Sequence, residues 1–350
     1  MKERILYIDN LRAFAIMLVV MGHILQFTFG DSHGFDHPFF KFIYSFHMPL
    51  FFFISGMFAK GFTPPLTLCK YLNNNIVRKS KALLIPYITW SLIISLLISV
   101  GAYSKDILNT TSLGALYWFL PSLFEAFILF FILQPLVCRL NKRSNIIIEI
   151  LYWLIVIFSV KAGILWLCKE VLSSSEYYYT FLGGFQNNFP FFLMGYLVAK
   201  YKKIIALLEN DCVGLVAWIL YLGALYLINC TEFRMKGVSS LIEIFYPVGA
   251  IIFFYQLFKH ISFPSKIQRI VSKVGMSTLE IYVMHYLCFI GISEFRYYFQ
   301  PLTGNILFML LYTYIVSLII ILICLILKAS VSYNKWMSMI MFGKTVKKPE

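Results

Sequence analysis

The stretch DNLRAFAIMLVVMGHI, residues 9–24, decides how the chain is read. It has the length and apolar content of a membrane-crossing helix, yet it holds Asp9, Arg12 and His23. A titratable side chain in hydrocarbon costs several kcal/mol on most scales, so it turns to the protein interior, finds a partner and often carries function. Arg12 and His23 are eleven positions apart. On a helix that is three turns plus about 20°, so they share one face at depths differing by roughly 16 Å. Asp9 precedes Arg12 by three positions, the spacing at which helical side chains meet. The stretch is a polar stripe on an otherwise lipid-compatible helix.

The rest of the chain agrees with a membrane setting. Of 350 residues, 60% are hydrophobic and 13% are charged, with a mean hydropathy of +0.78. Soluble domains are about a quarter charged. The expected fold is therefore all-α: a polytopic membrane helix bundle whose spans follow membrane length rules, roughly 17 to 25 residues each. Ten such runs are expected, at 8–29, 42–61, 83–101, 118–138, 146–168, 187–200, 212–229, 238–258, 275–293 and 304–328. The sixth, with Pro190 and Gly195, is the least regular. The first is read as an uncleaved span, because charges interrupt its apolar run and no small-residue cleavage site follows. Residues 1–330 are expected to form one integral-membrane domain, and 331–350 a short basic tail on the cytoplasmic side.

The net charge of +14 does not point to nucleic acid, because the cations lie in short loops between apolar runs. Alternating those loops across ten spans, with the N-terminus inside, places 22 cations inside and 7 outside. That asymmetry orients membrane proteins and puts both termini in the cytoplasm. The seven cysteines are scattered, mostly in apolar runs, with no CxxC or Cys/His cluster, and read as packing residues. DSHGFDHP, residues 31–38, offers Asp31, His33, Asp36 and His37, but a solvated outer loop is the simpler reading. No metal is expected.

On that topology several titratable groups share the outer half of the membrane. His23 comes from the first span, His47 from SFHMPLFFFISGMF (45–58) and Glu125 from WFLPSLFEAFILFF (118–131). Glu243 opens the eighth span, and His285, in GMSTLEIYVMHYL (275–287), lies near the midplane. For His47 and His285 a plain hydrogen bond inside the bundle explains the residue as well as chemistry does. Glu280 reads as a structural partner for a basic residue. Arg78, Lys79 and Lys81 form the densest cation cluster, in NNNIVRKSKALLIPY (73–87), a loop on the inner side. They serve either as topology signals and anionic-lipid contacts or as a phosphate site for a cytoplasmic anionic donor. The aromatic runs SSSEYYYTF and EFRYYFQ read as interfacial belts, with stacking on a sugar acceptor as the functional alternative.

Five blocks carry a family resemblance: YIDNLRAFAIMLVVMGH, FHMPLFFFISG, RKSKALLIPY, WFLPSLF and GMSTLEIYVMHYL, in that order. Together they resemble the integral-membrane acyltransferase 3 family, in its stand-alone O-acetyltransferase type. The resemblance implies about ten spans and transfer of an acetyl or other short acyl group from cytoplasmic acetyl-CoA or a related acyl-CoA. The implied acceptor is a hydroxyl of a sugar, a polysaccharide or another cell-envelope molecule, in a bacterial cytoplasmic membrane. The first-span pair carries over to Arg12 and His23, and the paired basic motif to Arg78 and Lys81. The second of these is Lys where Arg is usual, which keeps the charge but loses the bidentate fork. His23 is then the expected base or acyl carrier, with Glu125, His47 or His285 orienting it, and Arg12 paired with Asp9 at the donor end. The rival reading is an exporter of a lipid-linked or polysaccharide product with Arg12 and His23 in an ion relay. It lacks the internal repeats common in transporters.

Overall fold

A computed structural model describes residues 5–29, 37–63, 66–101, 115–141, 145–170, 182–230, 236–290, 298 and 305–344. Among these, every regular element is helical. In chain order they are α1 (Leu6–Phe29), α2 (Pro38–Met57), α3 (Leu68–Lys79), a π turn (Ser80–Leu84), α4 (Ile85–Ser99), α5 (Phe119–Leu140) and α6 (Ile146–Glu170). There follow α7 (Gly183–Lys200), α8 (Lys202–Leu208), α9 (Asp211–Cys230), α10 (Lys236–His260), α11 (Ser265–Met276) and α12 (Thr278–Met284). A 3-10 turn (His285–Phe289), α13 (Ile306–Tyr333) and α14 (Lys335–Phe342) complete the series.

The all-helical membrane fold stands. Among the described residues six helices are long and apolar enough to cross a membrane: α1, α2, the run Leu68–Ser99, α5, Ile146–Trp166 of α6, and α13. A seventh results if Lys202–Leu208 and Asp211–Tyr226, bent by 63°, form one span. Two expected spans look different. The run at 187–200 is helical from Gly183, but Gln186, Asn187 and Asn188 dilute its apolar content. The run expected at 275–293 is not one helix. It is the end of α11, then α12, then the 3-10 turn, with Ser277 at the first joint. The NNNIVRKSKALLIPY stretch, expected as a loop, is helical throughout, with the π turn set into it. A short amphipathic helix, α14, occupies eight residues of the expected tail, started by the Asn334 side chain accepting from Trp336 N–H and Met337 N–H.

The chain divides into two compact units. The first contains residues 1–51, 96–109 and 203–333. Its centre is α1, which packs against α10, α11, α12, the 3-10 turn and α13. Ile8, Leu11, Ala15, Ile16, Val20, Ile24 and Leu25 are buried on several sides of α1, so its surface is covered by protein rather than lipid. Phe14 lies against Phe254 and Phe258, and Phe46 stacks on Phe254 at 4.9 Å. α11 crosses the start of α1 at closest range. A Cβ on Gly275 would stand 2.0 Å from the Asp9 carbonyl oxygen, so only glycine fits.

The second unit contains residues 52–95, 110–202 and 334–350. Here α5 packs on α3, the π turn and α7, and α6 packs on α7. The end of α2 crosses α7 through a reciprocal pair. A Cβ on Gly56 would meet Phe192 O at 1.8 Å, and one on Gly195 would meet Phe53 O at 1.9 Å. Small residues at helix crossings let backbones approach in hydrocarbon, where association rests on packing rather than on water exclusion. α14 docks on α4, with Thr89 donating to Ile340 O and Trp90 to Met341 O. Gly343 ends α14 in the left-handed region, at φ 63°, where a side chain would strike Lys81 O.

These close approaches make a test. Gly275→Val and Gly195→Leu should each lose about 1–3 kcal/mol to overpacking, seen as a lower melting temperature in detergent. Gly163→Ala, where the surrounding space is open, should melt like the parent.

Candidate active site

The polar stripe of α1 is built as its spacing requires. Arg12 and His23 are half-buried within a helix otherwise largely covered, and they point along one arc. The same arc continues to Gln26, three positions past His23, also half-buried. Gln26 lies beyond the stripe expected from Asp9, Arg12 and His23, although the helical period already carries it onto that face. At the stripe's lower end Arg12 Nη1 lies 3.8 Å from Asp9 Oδ1. Next to them Asn10 and Gln268 form a double amide pair: Gln268 Nε2 donates to Asn10 Oδ1 at 2.6 Å and Asn10 Nδ2 returns to Gln268 Oε1 at 3.2 Å. Tyr7 and Tyr255 share a hydroxyl contact of 3.0 Å. The start of α1 is thus fixed in register against α10 and α11.

The break after α11 delivers the partners of His23. His285 opens the 3-10 turn and Tyr286 follows it. The His23 ring centroid is 5.2 Å from that of His285 and 5.0 Å from that of Tyr286. The Tyr286 hydroxyl lies 3.1 Å from His23 Nε2, which holds the ring. His23 Nδ1 is buried and has no hydrogen-bond partner, and the Gln26 amide stands beside the ring without meeting hydrogen-bond geometry to it. Tyr44 donates to Gln26 Oε1 at 3.5 Å.

The helix backbone sets the tautomers of the other two imidazoles. His285 Nδ1 is 3.2 Å from Ile281 O, and His47 Nδ1 is 2.7 Å from Ile43 O. A carbonyl only accepts, so each Nδ1 carries the proton and each Nε2 keeps its lone pair. In His285 that Nε2 is buried without a partner. His47 is near enough to His23 for the two to interact electrostatically. Leaving a buried polar atom unpaired costs about 1–3 kcal/mol. Two such nitrogens, on rings in contact, mark a place arranged for a hydroxyl or a proton.

Phe27 stacks on Phe289 at 4.7 Å with planes 12° apart, and His285 and Tyr286 lie against Phe289. This aromatic wall stands beside His23, whereas the expected aromatic contacts were in the outer loops. Of those, SSSEYYYTF lies outside the described residues, and of EFRYYFQ only Tyr298 is described.

Glu125, on α5 of the second unit, lines an apolar cavity of about 520 Å³ with Phe124, Ile128, Val160, Gly163 and Leu182. The cation cluster also belongs to the second unit, at the junction of α3 and the π turn. Arg78 is exposed and donates to Asn75 Oδ1 at 2.9 Å, and Lys81 is exposed. Lys79 instead rests on the Phe127 ring, 3.4 Å from its centroid, a cation–π contact that turns it inward. π turns recur at functional sites because they widen the helix and re-aim its side chains. Glu280 has the structural role its position implied: it is buried and pairs with Lys328 at 3.3 Å, while Lys328 donates to Ser277 Oγ at 2.7 Å. His37 caps α2 by accepting the Phe39 N–H at 3.2 Å, and burial holds its pKa below the usual imidazole value. Asp31, His33, Asp36 and the side chain of Glu243 lie outside the described residues.

A family model for an acyltransferase domain matches residues 5–328, nearly the whole chain. The chain belongs to the acyltransferase 3 family. Curated relatives include the nodulation protein NolL of Mesorhizobium japonicum, 28% identical over 230 residues, which span 63% of this chain and 57% of the relative. NolL of Sinorhizobium fredii is 26% identical over 206 residues, 55% of this chain and 48% of that protein. The chain spans about half the length of the curated relatives it matches. No solved structure matches. All the site residues described above lie inside the family match.

Replacing Tyr286 with Phe keeps the ring packing and removes the hydroxyl from His23 Nε2. A net hydrogen bond of about 0.5–1.5 kcal/mol corresponds to a two- to tenfold lower acyl-transfer rate. The melting temperature should stay within about 2 °C of the parent, so rate and stability measured together isolate the effect.

Proposed function

We propose that this chain is an O-acyltransferase that moves an acetyl or other short acyl group from acyl-CoA to a hydroxyl of a sugar, polysaccharide or other cell-envelope acceptor. The observation that carries this reading is His23: a half-buried imidazole with one nitrogen held by Tyr286 and the other left bare. It lies in a chain of the acyltransferase 3 family. A neutral histidine suits general-base work near neutral pH.

In this reading the acceptor hydroxyl approaches His23 from the aromatic wall of Phe27, Tyr286 and Phe289. His23 takes the hydroxyl proton as the oxygen attacks the thioester carbonyl. The C–S bond then breaks, the thiolate of CoA leaves, and the proton on His23 passes to that sulfur. The imidazole returns to its neutral state and the ester is the product. His285, its tautomer fixed by Ile281 O, packs against the first imidazole and helps orient it. Arg12, held by Asp9, lies roughly three turns along the same face. It contacts the donor or stabilises the helix end on which the donor rests. Arg78 and Lys81 receive the donor's phosphates from the cytoplasm, as exposed cations with no packing duty. The loop-charge asymmetry supports both termini in the cytoplasm, and a bacterial cytoplasmic membrane is what the family resemblance implies.

Membrane vesicles given radiolabelled acetyl-CoA test the activity. The parent should leave label on an envelope glycan or small acceptor, and His23→Ala should lower that label by about 10²–10⁴-fold while inserting normally. Full labelling by His23→Ala would remove the catalytic assignment. A single turnover without acceptor separates the two chemistries, because label that stays on the protein marks an acyl-imidazole and its absence marks general-base transfer.

The donor site has its own test. Arg78→Ala with Lys81→Ala should raise KM for acetyl-CoA about tenfold or more, with a smaller change in kcat. Lys79→Met, which keeps the contact with Phe127, should leave that KM within about twofold.

A further inference from the structure

The surface of α11 falls into three arcs. Gln268, Ser272 and Gly275 form the first, which is pressed against α1 through the Asn10 pair and the Asp9 carbonyl. Ile267 and Ile270 are on the second, 47% and 64% exposed. Lys266, Arg269 and Lys273 form the third, all exposed. At 100° per residue the apolar and basic arcs adjoin, and among the described residues both are exposed. A two-isoleucine face open to water has no stabilising partner. The same face beside a row of cations is the signature of a helix lying in the membrane interface.

An open depression of about 650 Å³ follows the basic arc. Arg269 and Lys273 give it two positive charges, while Leu6 and Phe263 give it an apolar rim. With Ile267 and Ile270 dipped into the acyl layer, these cations stand at the level of the phosphates. Two charges and an adjoining apolar rim match a phosphodiester headgroup with the first carbons of its chains.

We propose that α11 is an interfacial element whose basic edge binds the headgroup of an anionic phospholipid. Because α11 also fixes Asp9 and Asn10, the bound lipid holds the end of α1 that carries Arg12.

The test is lipid retention by the purified protein in detergent, read by native mass spectrometry. Phosphatidylglycerol and phosphatidylcholine of matched chains are the probes. The parent should retain phosphatidylglycerol in preference, and K266Q/R269Q/K273Q should bind it about a hundredfold more weakly, at about one kcal/mol for each lost cation. Arg269→Lys, which keeps the charge, should bind like the parent, and equal melting temperatures would show that each variant is folded. Unchanged phosphatidylglycerol retention in the triple variant would overturn the proposal. So would displacement of phosphatidylglycerol by equimolar coenzyme A, which would assign the depression to a nucleotide phosphate. The readout involves no turnover, so its failure leaves the acyl-transfer reading standing.

Discussion

Polar side chains on α1 constrain the whole first unit. Asp9, Asn10, Arg12, His23 and Gln26 on one membrane helix cannot face lipid without a cost of several kcal/mol each. The helix therefore goes to the middle, and its neighbours are chosen by what they offer those groups. Gln268 matches the amide of Asn10, Asp9 stays beside Arg12, and Tyr286 reaches His23. The glycine at 275 is part of the same constraint, because only a bare backbone lets α11 come close enough for Gln268 to reach.

A second constraint is the need to set two side chains against one imidazole. Where α12 ends at Met284, the 3-10 turn that follows packs against α1 and sets the rings of His285 and Tyr286 5.2 and 5.0 Å from that of His23. The i−4 carbonyls at Ile281 and Ile43 then do a quiet job. Each takes the Nδ1 proton of its histidine, so the lone pairs are presented on Nε2. Buried charge is handled separately, as in Lys328 with Glu280 in the first unit and Lys200 with Glu149 in the second, which tie helices together.

The second unit handles polarity by a different route. Its crossings rest on Gly56 and Gly195. Its basic cluster differentiates through local packing: one lysine lies on an aromatic ring, while Arg78 and Lys81 remain exposed. In a row of three cations the sequence gives equal weight to each. The π turn and the position of Phe127 separate them.

By itself the sequence determined the helical membrane class, the face shared by Arg12 and His23, the pairing of Asp9 with Arg12 and the structural character of Glu280. These follow from local geometry and from the cost of charge in hydrocarbon, which act on a single helix before any neighbour is known. The ordered blocks likewise pointed to the family that the chain belongs to. Only the tertiary structure decided that residues 275–293 break into three pieces, that Tyr286 holds His23, and that Phe27 and Phe289 form a wall beside it. Those features depend on residues more than 250 positions apart in the chain meeting across helices. No periodicity within one segment encodes which neighbour that will be. The three arcs of α11 were within reach of its helical period, but which arc would be covered by α1 and which left bare was a matter of packing.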